Sequence, residues 1–173
     1  DFTSVAGSSR KYLAEVDATT GALSAWDPQA NSSVYAIVLS GDDSLVYAGG
    51  YFSKVGGLDR RYVAAINSTT GVPTSWAPVI QVNSVTSLLI DGTTLFVGGN
   101  FYSIGGSLQQ GVGALSTITG LATAWNPQLS YAGIYALGRD SSQIFIGGDF
   151  MGIGGRVRSG VTAIGISTGT DLW

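Results

Sequence analysis

Four tryptophans, Trp26, Trp76, Trp125 and Trp173, stand at intervals of 50, 49 and 48 residues in a chain of 173. Other residues keep the same step. Thr-Gly recurs at Thr20-Gly21, Thr70-Gly71, Thr119-Gly120 and Thr168-Gly169, and Gly-Gly at Gly49-Gly50, Gly98-Gly99 and Gly147-Gly148. Phe2, Phe52, Phe101 and Phe150 follow the same spacing. An interval carried by several residue types at once marks one structural unit written repeatedly. Such units bury their apolar faces against neighbours of their own kind.

The copy at 34–76 reads as four strands. Val34 to Leu39 is rich in β-branched and apolar residues, as expected of a strand buried on both faces. Ser40-Gly41-Asp42-Asp43-Ser44 is a turn by residue type. Leu45 to Gly50 is a second strand whose terminal glycines allow close backbone approach. A long connection, residues 51–61, leads to a third strand from Tyr62 to Ile66, matched by Leu13 to Val16, Val112 to Leu115 and Val161 to Ile164. After the Asn67-to-Gly71 turn, Val72 to Trp76 reads as a short fourth strand. No helical period interrupts the pattern.

Four strands in a meander, then a restart, predict an all-β chain of propeller-type blades, each of four antiparallel strands. The phase gives one continuous unit over 1–173, with a half-blade at 1–26 and blades at 27–76, 77–125 and 126–173. These about 3.5 repeats of roughly 49 residues are fewer than the four or more blades of a closed ring. The expectation is therefore a part of a larger propeller, or a two-chain ring, with a linear or helical stack as a third arrangement.

Two stretches carry a family resemblance. Ala14-Glu15-Val16-Asp17, Thr20-Gly21 and Trp26 resemble the tryptophan-docking pattern of quinoprotein-like (PQQ-like) propeller repeats. The Asp position becomes Asn67, Ser116 and Gly165 in later copies, and the Gly-to-Trp spacing is one residue longer in three copies than in Gly169–Trp173. Leu95-Phe96-Val97-Gly98-Gly99-Asn100-Phe101 with Gly105-Gly106 is similar to the delta-sixty and Kelch-like repeats of large secreted or surface propeller proteins. The resemblance implies a propeller fold and an extracellular or cell-surface location. It also implies that tryptophans hold neighbouring blades together. It specifies no single activity, because such scaffolds host many.

Composition narrows the chemistry. The chain is 45% hydrophobic and 11% charged, which argues against disorder. Its net charge is −3 and it has no basic run, so nucleic acid is not an expected partner. No apolar run is long enough to span a bilayer, and no basic-then-apolar leader opens the sequence. An export leader would have been removed or would lie outside this sequence. The absence of His and Cys removes imidazole bases, thiolate nucleophiles and thiolate metal sites. It also removes the vicinal cysteine pair of quinoprotein enzymes. Asp42-Asp43, Asp91 and Asp140 are hairpin residues, and no sequence feature brings two carboxyls face to face for glycoside hydrolysis. Calcium is conceivable on Asp, Asn and carbonyl oxygens, but no EF-hand or RTX spacing occurs. No cofactor is expected, and the chain reads as non-catalytic.

Repeated positions serve the scaffold. Trp26, Trp76, Trp125 and Trp173 fit a wedge between blades, and also a stacking platform for sugars. Gly49, Gly50, Gly98, Gly99, Gly147 and Gly148 follow strands and open no helix, so they read as tight β packing rather than a phosphate cradle. Phe52, Phe101 and Phe150, with Phe2, read as core plugs under the long connection.

Variable positions are candidates for a ligand. The connection between second and third strands and the linker between blades emerge on one face of an up-and-down array. Their variable residues supply the candidate set: Arg10, Asp59, Arg60, Arg61, Gln109, Gln110, Arg156 and Arg158, with Asn31 and Tyr131 from the linkers. Asn31 and Asn67 also open Asn-X-Ser/Thr triplets that a eukaryotic secretory pathway would glycosylate. The functional expectation is a secreted or surface module for binding and adhesion, with a glycan or protein ligand on the long-loop face. Two further readings stand beside it: a structural subunit that assembles with itself into a ring or filament, and the propeller portion of an extracellular enzyme.

Overall fold

The structure, a computed structural model, describes residues 1–130 and 133–172, with the backbone alone at 82 and 83. The described residues are all-β, in several small antiparallel sheets and without a helix. In chain order the strands are β1 (Ser4–Val5), β2 (Ser8–Ser9), β3 (Val34–Leu39), β4 (Leu45–Gly50), β5 (Lys54–Val55) and β6 (Leu58–Asp59). Then come β7 (Val63–Asn67), β8 (Ile80–Asp91), β9 (Thr94–Ile104), β10 (Ser107–Leu108) and β11 (Val112–Ser116). The last are β12 (Leu129–Ser130), β13 (Gly133–Arg139), β14 (Gln143–Asp149), β15 (Gly152–Ile153), β16 (Arg156–Val157) and β17 (Gly160–Gly165).

Three equivalent units result: β3-β4-β7, β8-β9-β11 and β13-β14-β17, each a meander with its second strand in the middle. The expected fourth strand shrinks to one bridge per copy, Val16–Leu23, Ile66–Pro73, Leu115–Ala122 and Ile164–Asp171. In the second copy Pro73 lacks the N–H that would extend the ladder. Leu13 to Val16 forms no third strand beyond its one bridge, because the chain supplies no second strand for it to pair with.

The long connection is itself folded. In each copy it is a two-residue β-hairpin arm, Ser4–Ser9, Lys54–Asp59, the Ser103–Leu108 turn of β9 and β10, and Gly152–Val157. Its turn residues, Ala6-Gly7, Gly56-Gly57, Gly105-Gly106 and Gly154-Gly155, all have positive φ at both positions. That is the type I′ pattern, whose twist matches the flanking strands. The preceding linker pairs with the arm. Ile80 and Gln81 pair with Ile104 and Ser103, Leu129 and Ser130 pair with Ile153 and Gly152, and Asn31 N–H donates to Lys54 O at 3.1 Å.

Apolar residues are consecutive along β4, β9 and β14, at Leu45–Ala48, Leu95–Val97 and Ile144–Ile146, so each unit has two apolar faces. Three core clusters form between units, not within them. Leu13 and Trp26 pack on Ala48, Phe52, Val55, Ala64 and Ile66. Tyr47, Val63, Ala65 and Trp76 pack on Val85, Leu95, Val97, Phe101 and Ile104. Phe96, Val112, Ala114 and Trp125 pack on Ile134, Ile144, Ile146, Phe150 and Ile153. Each unit thus presents a trailing face to the leading face of the next. The expectation that Val34–Leu39 is buried on both faces is corrected: Tyr35, Ile37 and Leu39 point outward, 54%, 62% and 50% exposed. Phe52, Phe101 and Phe150 are buried under their arms, but Phe2 is 37% exposed, since no first and second strands of its own copy cover it.

The first three Thr-Gly turns are built on a side-chain oxygen, and the fourth has Gly165 at that position. Asp17 Oδ1 accepts from Thr19 N, Thr20 N and Thr20 Oγ1 at 2.9, 2.6 and 2.8 Å. Asn67 Oδ1 repeats this at 3.0, 2.7 and 3.0 Å, and Ser116 Oγ accepts from Ile118 N and Thr119 N. The following glycine has positive φ in every copy. The β3–β4 and β13–β14 turns use Asp42 and Asp140 in the same manner. Hydrogen bonds from Ser40 and Ser44 hold the Asp42 carboxyl at about 2, and backbone donors lower Asp17 and Asp140. Depressed carboxyls contribute stability above their unfolded value, about 3.9. The contribution is lost as pH falls through the folded value. With no His or Cys in the chain, the thermal midpoint should stay level from about pH 5 to about pH 8 and fall below about pH 4. A melting series across that range checks it; a step near pH 6 would contradict it.

Candidate functional site

The repeated tryptophans are joints. Trp26 Nε1 donates to Asn67 O at 3.1 Å, Trp76 Nε1 to Ser116 O at 3.1 Å and Trp125 Nε1 to Gly165 O at 3.0 Å. Each indole leaves its own copy and bonds the end of the third strand in the next. Trp76 stands edge-on to Tyr47 at 5.3 Å, and Trp125 edge-on to Phe96 at 4.9 Å. All three are buried, so none offers a sugar-stacking face. Trp173 lies outside the described residues.

The glycine pairs are close approaches. A Cβ on Gly49 would stand 2.5 Å from Val85 Cγ1, and one on Gly98 would stand 2.8 Å from Ile134 Cγ2, both in the next unit. A Cβ on Gly50, Gly99 or Gly148 would strike the carbonyl of Ser33, Ser84 or Gly133 at 2.1, 2.2 and 2.3 Å. Those carbonyls precede a β-bulge in the first strand, where the register skips between Val34 and Ala36, Val85 and Ser87, and Ile134 and Ala136. Tyr35, Thr86 and Tyr135 are the extra residues. A bulge re-aims a side chain, and these three are aimed differently by their surroundings. Thr86 Oγ1 donates to Ile134 O of the next unit, whereas Tyr35 and Tyr135 project outward.

The candidate ligand residues separate into two groups. Arg10, Arg60, Gln109 and Arg158 are the same position of successive copies, and they point inward. Arg10 Nη2 donates to Ser24 O at 2.8 Å, Arg60 Nε to Thr74 O at 3.1 Å and Gln109 Nε2 to Thr123 O at 3.3 Å. In the last copy Arg158 Nε lies 3.3 Å from Asp171 Oδ2. Each side chain straps the hairpin arm to the segment after the Thr-Gly turn. Asn31 is likewise a clip: its Oδ1 accepts from Ser53 N and Lys54 N at 2.9 Å, and its Nδ2 donates to Ser53 Oγ at 3.0 Å.

The second group faces solvent. Asp59 pairs with Lys54 at 3.1 Å on the arm surface, a contact worth little in water. Arg61 is exposed. Arg156 borders a shallow depression of about 380 Å³ with Asn126, Thr168 and Thr170. Gln110 lines a cleft of about 640 Å³ between the second and third units. Tyr131 lies outside the described residues.

That cleft is built from three elements. The β9 arm contributes Asn100 and Tyr102, the linker contributes Ser130, and the third unit contributes Gly133, Tyr135 and Asp149. Tyr102 and Tyr135 are each 61% exposed. Tyr135 Oη donates to Asp149 Oδ2 at 2.8 Å, and this bond raises the phenol above its ordinary pKa. The phenol therefore stays protonated at neutral pH and fixes one carboxylate oxygen. Among the described residues that line the cleft there is no Lys or Arg. What it offers is two aromatic faces with amide, hydroxyl and carboxylate groups between them. That suits a neutral, hydroxyl-rich ligand better than an anion. Sequence reading placed Gln110 among the variable loops but did not single out Asn100, Tyr102, Tyr135 or Asp149 as ligand candidates. The residue before the repeated Phe was the available signal, since it varies as Asp1, Tyr51, Asn100 and Asp149.

Among the described residues no group of three His, Cys, Asp or Glu side chains could hold a metal ion, and no helix is long and apolar enough to cross a membrane. No known protein family matches this chain, and no curated protein compared with it is significantly similar.

Proposed function

We propose that the chain is an array of propeller-type blades acting, without catalysis, as a glycan-binding module of an extracellular or cell-surface protein. The observation that carries this reading is the cleft between the second and third units, where two exposed tyrosines flank Asn100, Gln110, Ser130 and Asp149. Aromatic faces cover the apolar faces of sugar rings, and fixed amide and carboxylate groups take their hydroxyls. The Tyr135–Asp149 bond pre-orients part of that set, which lowers the entropy lost on binding. The cleft lies beside paired arms and linkers, which supports the reading.

A glycan array with the folded chain tests the reading. The expected result is binding of neutral oligosaccharides, weakened about tenfold by Tyr102→Ala and also weakened by Gln110→Ala. Tyr135→Phe should weaken it less, since it keeps the ring. An empty array with folded protein would overturn the reading.

A further inference from the structure

The leading face of the first unit is covered over its outer half only. Residues 1–26 supply third- and fourth-strand material, Leu13, Ala14, Val16 and Trp26, and these pack on the outer part of β4 and β7. Inboard of them lies an apolar groove of about 460 Å³, whose far wall is Ile37, Leu39 and Val46. The same positions in later units are filled. Val46 corresponds to Leu95 and Ile144, both 0% exposed. Ile37 corresponds to Leu88 and Leu137, which pack against the preceding Gly49 and Gly98. What covers them there is the first-and-second-strand pair of the preceding unit: β3 and β4 lie on β8, and β8 and β9 lie on β13.

We propose that this groove is a docking site for one β-hairpin of the chain's own repeat type, an apolar antiparallel pair like Val34–Gly50 that ends in Gly-Gly. The interface it would form already occurs twice within the chain, so the occupant's chemistry is given by those two precedents. It must be apolar along both strands. It must also carry a glycine where Gly49 meets Val85 and Leu88, over Val34 and Ile37 here. A whole unit does not fit, because residues 1–26 already hold the place of its outer strands. For the same reason two copies meeting through their first units would bring the outer half twice and the inner hairpin not at all, and a copy docking head to tail would bring a whole unit.

The test duplicates residues 34–50 immediately ahead of Asp1 in the full chain. A second version carries Gly49→Phe in the duplicate alone. The first should raise the thermal midpoint by at least about 5 °C. It should also slow backbone hydrogen exchange in β3 at least tenfold and reduce binding of a hydrophobic dye. The second should do none of these. Equal behaviour of the two versions, or a duplicate that leaves β3 exchange unchanged, would overturn the proposal. So would a concentration-dependent dimer of the unmodified chain that the duplication abolishes, since that would give the groove to a second copy.

Discussion

Gly99→Ala should unfold the chain at a much lower denaturant concentration than Gly138→Ala, although each adds one methyl to a strand of a repeat unit. At Gly99 the new Cβ stands 2.2 Å from Ser84 O and 3.0 Å from Val85 Cα. Both are backbone atoms of the bulge, so no rotamer change makes room. The bulge would have to open, and with it the lead strand that packs against the first unit. Forced overpacking costs about 1–3 kcal/mol, and a collision with fixed backbone belongs at the upper end. For a chain of this size that is about 6–12 °C in Tm. At Gly138 nothing lies within 4 Å of the added methyl. There the loss of unfolded-chain freedom stabilises by about 0.4–1 kcal/mol. Paired denaturation curves decide it, and coincident midpoints would refute the backbone collision.

Trp125→Ala should be the most damaging single substitution at a joint. The indole fills the core between the second and third units, edge-on to Phe96, and its N–H satisfies Gly165 O. Truncation of a buried tryptophan costs about 3–5 kcal/mol. Trp125→Phe separates the two contributions. It keeps an aromatic ring beside Phe96 but leaves a buried carbonyl without its donor, a loss of about 1–3 kcal/mol. Equilibrium unfolding of both variants should place Phe between wild type and Ala. A Phe variant as stable as wild type would mean that the carbonyl finds water or another donor.

Much of the scaffold was legible because its rules are local or periodic. Continuous apolar runs ending in Gly-Gly mark β4, β9 and β14, and the Thr-Gly pairs mark turns that need a left-handed residue. The inter-unit role of the tryptophans was what the resemblance implied. Two features were hidden for different physical reasons. Arg10, Arg60, Gln109 and Arg158 differ in identity but share one property, an N–H-bearing side chain that reaches back across the arm. Comparison by residue name reads that position as variable. The bulges were hidden because an inserted residue shows only against its partner strand. Tyr135 is therefore aimed by register with β14, a long-range fact. The fourth strands were over-read, since an apolar stretch before each Trp serves to deliver the indole and needs only one bridge.

Contacts between units run from neighbour to neighbour: β3 and β4 meet β8, while β13 meets β8 and β9. A row joined in this way behaves as a short zipper. The third unit is gripped from one side and the first from one side and half of the other, while the middle member is clasped fully from both. Damage at either end stays local, whereas a flaw in the central member severs the array. The cleft sits on that central member's downstream joint, so ligand grip and mechanical continuity depend on the same junction.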